Sequence, residues 1–154
     1  MIRLRDIMTT DVFTVSPALS IREAAEILSS RHIGGAPVVN DDHRVIGVIT
    51  AADILEFAST LSGDPPELGE DDRNELDRHT VDEAMTRAPL RTLGPDATAR
   101  DAARVMEDAG IHRVFVMEDD ALLGVVSALD LAKAIADGRL ATNTFVFPSA
   151  TRTV

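Results

Sequence analysis

Two stretches of this 154-residue chain repeat one another in order, so the chain must build one small unit twice and then bury the two against each other. Asp6-Ile-Met8-Thr9 lies 77 residues before Glu83-Ala-Met85-Thr86, and Thr14-Val-Ser-Pro17 lies 78 before Thr92-Leu-Gly-Pro95. Arg22-Glu-Ala-Ala25 then matches Arg100-Asp-Ala-Ala103, and Pro37-Val-Val-Asn-Asp-Asp42 matches Phe115-Val-Met-Glu-Asp-Asp120. Last comes Gly47-Val-Ile-Thr-Ala-Ala-Asp53, matched by Gly124-Val-Val-Ser-Ala-Leu-Asp130. Between the copies, residues 58–81 carry 2 basic and 7 acidic side chains and are broken by Gly63, Pro65, Pro66 and Gly69, the composition of a solvated connection. The expected layout is a first motif over 1–59, an acidic linker over 60–79, a second motif over 80–137 and a tail over 138–154. Within the linker, Glu70 to Arg78 is a candidate short polar helix.

Periodicity gives each motif the order β-α-β-β-α. Phe13 to Val15 is a short strand candidate that Pro17 stops. Ser20 with Glu23 has capping-box spacing, and Ile21, Ala24, Ala25 and Leu28 fall on one face of a helix over about 21–30. Ala36 to Val39 and Arg44 to Ile49 read as a hairpin turning at Asp41-Asp42, and Thr50 to Asp53 opens a second helix holding Ile54, Leu55, Phe57 and Ala58. One such unit buries too little apolar surface to stand alone. The expected fold is therefore α/β (α+β), two such motifs packed pseudosymmetrically, sheet to sheet.

Composition removes several function classes. There is no cysteine, which excludes disulfides, thiolate metal sites and a cysteine nucleophile and makes the cytoplasm the expected compartment. No apolar run approaches the roughly 18 residues of a membrane span, and Met1-Ile-Arg-Leu-Arg-Asp lacks a signal peptide's apolar stretch. A net charge of −11 opposes nucleic acid, whose nonspecific binding depends on lysine and arginine at the phosphates. His32, His43, His79 and His112 have no metal-ligand spacing, and neither a Gly-x-Ser-x-Gly elbow nor a Walker loop is present, so an enzyme is not expected. Asp41-Asp42 and Glu118-Asp119-Asp120 are acidic enough for a divalent cation, but they sit where the repeat puts hairpin turns, and turn chemistry is the favoured reading.

What remains is Gly-h-h-[Ser/Thr]-x-x-Asp, with h apolar, at Gly47, Thr50 and Asp53 and again at Gly124, Ser127 and Asp130. Two readings stand side by side. Thr50 with Asp53 and Ser127 with Asp130 have capping-box spacing, as do Ser20 with Glu23 and Thr98 with Asp101, so a helix start explains them. Equally, a helix N-terminus favours a phosphate, and a carboxylate accepts hydrogen bonds from ribose hydroxyls. One carboxylate has acceptor capacity for both roles.

This ordered set, occurring twice, resembles a pair of CBS domains over about residues 4–59 and 80–137. The resemblance implies a regulatory module whose clefts bind an adenosine-containing ligand, AMP, ADP, ATP or S-adenosylmethionine, with no catalytic residue, metal or resident cofactor. It implies ribose contacts at Asp53 and Asp130 and phosphate contacts at Thr50 and Ser127. It further implies pocket lining by Thr14, Val15 and Pro17 with Gly35, Ala36 and Pro37 in the first motif. In the second motif the lining falls on Thr92, Leu93 and Pro95 with His112, Arg113, Val114 and Phe115. Gly34-Gly35 also reads as a helix stop. Phe115 stands where the first motif has Pro37, and Arg113 where it has Gly35, so the two sites are expected to differ. Arg113 reads as a phosphate contact, the favoured role, or as a surface ion pair with a carboxylate. The family habit implies a homodimer, and a chain without an effector domain must signal to a separate effector protein. The apolar Thr144 to Pro148 covers its own core in the favoured reading, or docks elsewhere. The competing class is an interaction scaffold with self-filled clefts and no ligand-dependent stability.

Overall fold

The computed structural model describes residues 1–61, 75–87 and 89–139. A 3-10 turn over Leu4–Asp6 is followed by α1 (Ile21–Ser30), β1 (Gly35–Val39), β2 (Val45–Thr50) and α2 (Ala51–Leu61). The second half runs through α3 (Val81–Ala84), β3 (Thr86–Arg87), β4 (Thr92–Leu93), α4 (Ala99–Ala109), β5 (Arg113–Glu118), β6 (Ala121–Ser127) and α5 (Ala128–Ala136). Two three-stranded sheets result, β1-β2-β3 and β4-β5-β6, in an α+β arrangement.

Local chemistry sets most of these elements. Ser20 accepts from the Glu23 N–H while the Glu23 carboxylate accepts from the Ser20 N–H, fixing the start of α1, and Ile21, Ala24 and Leu28 then face the core. The hairpin β1–β2 turns where Asn40 Oδ1 accepts from the Asp42 and Arg44 N–H groups, with His43 at φ 60°. Asp119, at φ 53°, marks the matching turn of β5–β6. Both acidic runs are thus built as turns, the favoured reading. The helix stop differs from expectation. After α1 it is His32, at φ 52°, that turns the chain, as Gly110 at φ 64° does after α4, so Gly34-Gly35 is needed for something else. The strand expected at Phe13 to Val15 is only a single bridge, Val15 to Val38, made by two backbone bonds, Val15 N–H to the Pro37 carbonyl and Val39 N–H to the Val15 carbonyl.

The motifs do not close on themselves. Val81 and Met85, from the second, complete the core of the first with Val15, Ile21, Val38 and Ile49. In return, Leu4 is fully buried among Ala102, Met106, Val114, Val116 and Val126, with Ile7 and Met8 packed on them. The backbone repeats this exchange almost bond for bond. Val81 N–H donates to Leu19 and Ile21 N–H to the His79 carbonyl, while Leu4 N–H donates to Ala97 and Ala99 N–H to Ile2. Each leading arm therefore belongs, physically, to the other motif's core. Residues 75–78 are helical, whereas Glu70 to 74 of the candidate linker helix and the tail at Thr144 to Pro148 lie outside the described residues.

Candidate functional site

The arm exchange explains two of the repeated motifs together. Thr9 bridges to Val125 on β6, and Thr86-Arg87 pairs with Gly47-Val48 on β2. A Cβ at Gly124 would stand 2.8 Å from Met8 Sδ and 2.8 Å from the Thr9 carbonyl, and one at Gly47 would stand 2.6 Å from the Thr86 carbonyl. The Met-Thr pairs and the glycines that open Gly-h-h-[Ser/Thr]-x-x-Asp are thus two sides of one contact, made twice.

Crossing the first arm over β6 encloses a cleft of about 550 Å³ between the motifs. Thr9, Asp11, Val12 and Phe13 of the arm form one side; Arg31 to Gly35 and Pro37 form a second. His112, Arg113, Phe115 and Val125 with Ser127 to Asp130 complete it. Of the residues expected from sequence, the structure gathers Gly35, Pro37, His112, Arg113, Phe115, Ser127 and Asp130 here. Ala36 and Val114 are the intervening residues of β1 and β5, and their side chains turn into the cores, because strand side chains alternate between faces. Val15 is core, Thr14 is exposed, and Pro17 instead accepts from the Asp82 N–H. Thr92 and Leu93 pair with Phe115 and Val116 outside this cleft, while the Pro95 carbonyl holds the Arg5 N–H of the arm. Thr50 and Asp53 lie at the equivalent place in the first motif, also outside it.

Sequence reasoning missed Thr9 and Asp11 to Phe13 of the arm, Arg31 to Gly34, and Val125, Ala128 and Leu129. The repeated Met-Thr pair was the available signal for Thr9, but its partner is more than a hundred residues away. At Phe13, the Arg31 guanidinium stacks over the ring with its central carbon 4.0 Å from the centroid, a cation–π contact on the cleft wall.

At the carboxylate end, Asp130 Oδ2 accepts from the Ser127 N–H and hydroxyl, both at 2.8 Å, and the Asp130 N–H donates to Ser127 Oγ at 3.2 Å. The cap is real, and it uses one carboxylate oxygen. Asp130 lines the cleft, and its Oδ1 has no hydrogen-bond partner among the described residues. Arg113, half-buried, lines the same cleft, its guanidinium donating to the Gly35 carbonyl at 2.9 Å. Among the described residues only Arg113 atoms come within 4 Å of a Cβ placed at Gly34, the nearer at 2.6 Å. Gly34 is the slot for that guanidinium, which is the role the helix stop did not require. Burial pushes the Arg113 pKa down, and among the described residues neither Arg113 nor Arg31 is ion-paired with a carboxylate. The surface-pair reading of Arg113 thus has no partner among the described residues. A partly desolvated cation without a counterion is costly, and an anion entering the cleft removes the cost.

Comparison with known proteins agrees with this architecture. The CBS domain model matches residues 4–60 and 81–137. An uncharacterized 17.7 kDa protein of Acidianus ambivalens is 30% identical over 136 residues, covering 88% of this chain and 74% of that protein. The A-adding tRNA nucleotidyltransferase of Aquifex aeolicus is 28% identical over 134 residues, 87% of this chain but 14% of that enzyme. Across three of the curated relatives it matches, the chain spans between 14% and 42% of their length. Among solved structures, the CBS domain pair of protein MJ0100, in complex with 5′-methylthioadenosine and S-adenosyl-L-methionine, superposes with a TM-score of 0.72 at 25% identity. That match covers 87% of this chain and 99% of the other. With two matched segments spanning most of its length and this shared fold, the chain belongs to the CBS domain family as a tandem pair.

Proposed function

We propose that this CBS pair is a regulatory module that binds an adenosine nucleotide, AMP, ADP or ATP, in the cleft between its motifs and passes the bound state to a partner protein. The observation that carries the reading is the half-buried Arg113 guanidinium, unpaired by any described carboxylate, in the same cleft as the open Asp130 Oδ1. In this reading Asp130 Oδ1 accepts from ribose hydroxyls, Ser127 and Arg113 meet phosphate, and Pro37, Phe115 and Phe13 offer apolar surface to the base. The MJ0100 complex supports an adenosine compound as the ligand class. S-adenosylmethionine is the second reading because of that complex; the Arg113 cation favours a phosphate over a sulfonium. Leu55 on α2 with Leu129 and Ile135 on α5, at 67%, 63% and 51% exposure, supply apolar surface for the expected second copy or effector.

The test is a comparison of ATP with adenosine. The chain has no Trp or Tyr, so adenine dominates the near-ultraviolet spectrum of any sample that retains a nucleotide. At about 100 times its dissociation constant a bound nucleotide adds roughly 2.7 kcal/mol, or about 5–10 °C in melting temperature. Arg113→Ala is expected to weaken ATP and ADP about 10-fold or more while adenosine changes little. Equal losses would remove the phosphate role. No shift with any of these compounds or with S-adenosylmethionine, at millimolar concentration, would favour the scaffold.

A further inference from the structure

The two Gly-h-h-[Ser/Thr]-x-x-Asp motifs are alike in sequence and are capped alike. Asp53 Oδ2 accepts from the Thr50 N–H and hydroxyl, both at 2.8 Å, and the Asp53 N–H donates to Thr50 Oγ1 at 3.1 Å, as at Ser127 and Asp130. The difference lies in the second carboxylate oxygen. Asp53 Oδ1 accepts from the Thr86 hydroxyl, a longer bond at 3.3 Å, whereas Asp130 Oδ1 has no described partner. Thr86 reaches Asp53 because its arm pairs with β2 through two residues, Arg87 on Gly47 and Thr86 on Val48, where the other arm makes the single bridge of Thr9 to Val125. The Thr9 hydroxyl makes no corresponding bond to Asp130 among the described residues.

Arg113 adds a second asymmetry. Its backbone pairs with Ser127 in the β5–β6 ladder, on the Asp130 side. Its guanidinium crosses to Gly35, whose own ladder partner is Thr50. At Gly35, a Cβ would meet both Arg113 Nη1 and Thr50 Cγ2 at 3.0 Å, so the guanidinium fills the space beside Thr50. The first motif has glycine at the matching position and sends nothing back toward Ser127. At Asp53 the protein's own groups engage both carboxylate oxygens; at Asp130 one oxygen has no described partner.

We infer that the two motifs have parted in role: Ser127–Asp130 is the nucleotide site, and Thr50–Asp53 is a clasp that holds the second motif's arm, through Thr86, onto the first motif's sheet. The chain therefore takes one nucleotide, not two. This stoichiometry rests on the adenosine-nucleotide reading; the clasp does not, and the experiment separates them.

The full chain is titrated with AMP by calorimetry, and its melting temperature is recorded without ligand. Wild type is expected to take one AMP per chain. Asp130→Ala weakens that site about 10- to 150-fold, the loss of a hydrogen bond to a charged acceptor. Thr86→Val and Asp53→Ala keep one AMP per chain with a dissociation constant within about twofold, and both lower the ligand-free melting temperature. Combined, they lower it no further than Asp53→Ala alone, because the Thr86 hydroxyl acts through that carboxylate. Two AMP per chain, with one lost in Asp53→Ala, overturns the inference, as does a melting temperature unmoved by Thr86→Val. Absence of binding by AMP, and by ADP and ATP titrated in its place, sinks the nucleotide reading and the stoichiometry with it. The clasp is then decided by the melting temperatures of Thr86→Val, Asp53→Ala and their combination, where full additivity overturns it.

Discussion

Glycine serves two different contacts in this chain, and substitution distinguishes them. At Gly124 the atoms in the way are Met8 Sδ and the backbone carbonyl of Thr9, each 2.8 Å from where an alanine methyl carbon would stand, so backbone must move. Gly124→Ala is expected to cost about 1–3 kcal/mol, the usual range for forcing atoms into a packed contact, read from chemical denaturation. At Gly34 the only neighbour among the described residues is the Arg113 guanidinium, the far end of a long side chain. Gly34→Ala is expected to leave stability unchanged or raise it by up to about 1 kcal/mol, since an ordinary backbone angle there restricts the unfolded chain more than it strains the fold. Its effect appears in binding instead: with the Gly35 contact disturbed, ATP affinity shifts while adenosine stays within about twofold. A large stability loss at Gly34 would mean that the glycine, and not the arginine, sets the local backbone.

The helices show which parts of the fold are readable locally. The expected span of α1 coincides with Ile21–Ser30, because its cap and apolar face lie within ten residues of one another. The hairpins were legible for the same reason: Asn40 supplies the turn acceptor beside the strands it joins. What the sequence did not reveal is carried by pairs far apart, such as Thr9 on Val125, Thr86 on Val48 and Arg113 on Gly35. Locally, Thr9 and Thr86 read only as the repeated Met-Thr marker, and Arg113 as a phosphate contact or a surface ion pair. The same blindness affected the site: naming whole runs of β1 and β5 included Ala36 and Val114, which alternate into the cores, and omitted the arm that crosses from the N-terminus. The caps make a prediction of their own. The Ser20 N–H and then its hydroxyl hold the Glu23 carboxyl below the usual range; the Thr80 N–H, then His79, does so for Glu83, and the Thr98 hydroxyl, then its N–H, for Asp101. A carboxyl whose folded pKa is depressed adds stability above its unfolded pKa, and that contribution disappears as pH falls through the folded value. The melting temperature is therefore expected to hold from about pH 7 to about pH 5 as far as these groups are concerned and to drop below about pH 4. Glu23→Gln should make the acid drop smaller, and an unchanged drop would take Glu23 out of the acid response.

At the scale of the whole molecule, the exchanged arms decide whether the two motifs are independent. Were each core built from its own motif, the linker would join two separable folding units. Instead Leu4, with no exposed surface, completes the second core, and Val81, equally buried, completes the first. Opening either motif strips an arm from the other, so unfolding one half removes part of the other's apolar burial and its Leu19 or Ala97 backbone bonds. In the proposed reading, a ligand held between the motifs stabilises both at once, so that occupancy is felt across the chain. Leu4→Ala tests this coupling at a residue that does not line the cleft. The truncation is expected to cost about 2–5 kcal/mol, the range for deleting a buried leucine side chain. Native-state hydrogen exchange then locates the loss. If the arms make one cooperative unit, the slowest-exchanging amides of β1 and β2 lose as much protection as those of β5 and β6, although Leu4 touches only the second core. Loss confined to β5 and β6 would show that the motifs open separately and that the exchange of arms does not bind them into one transition.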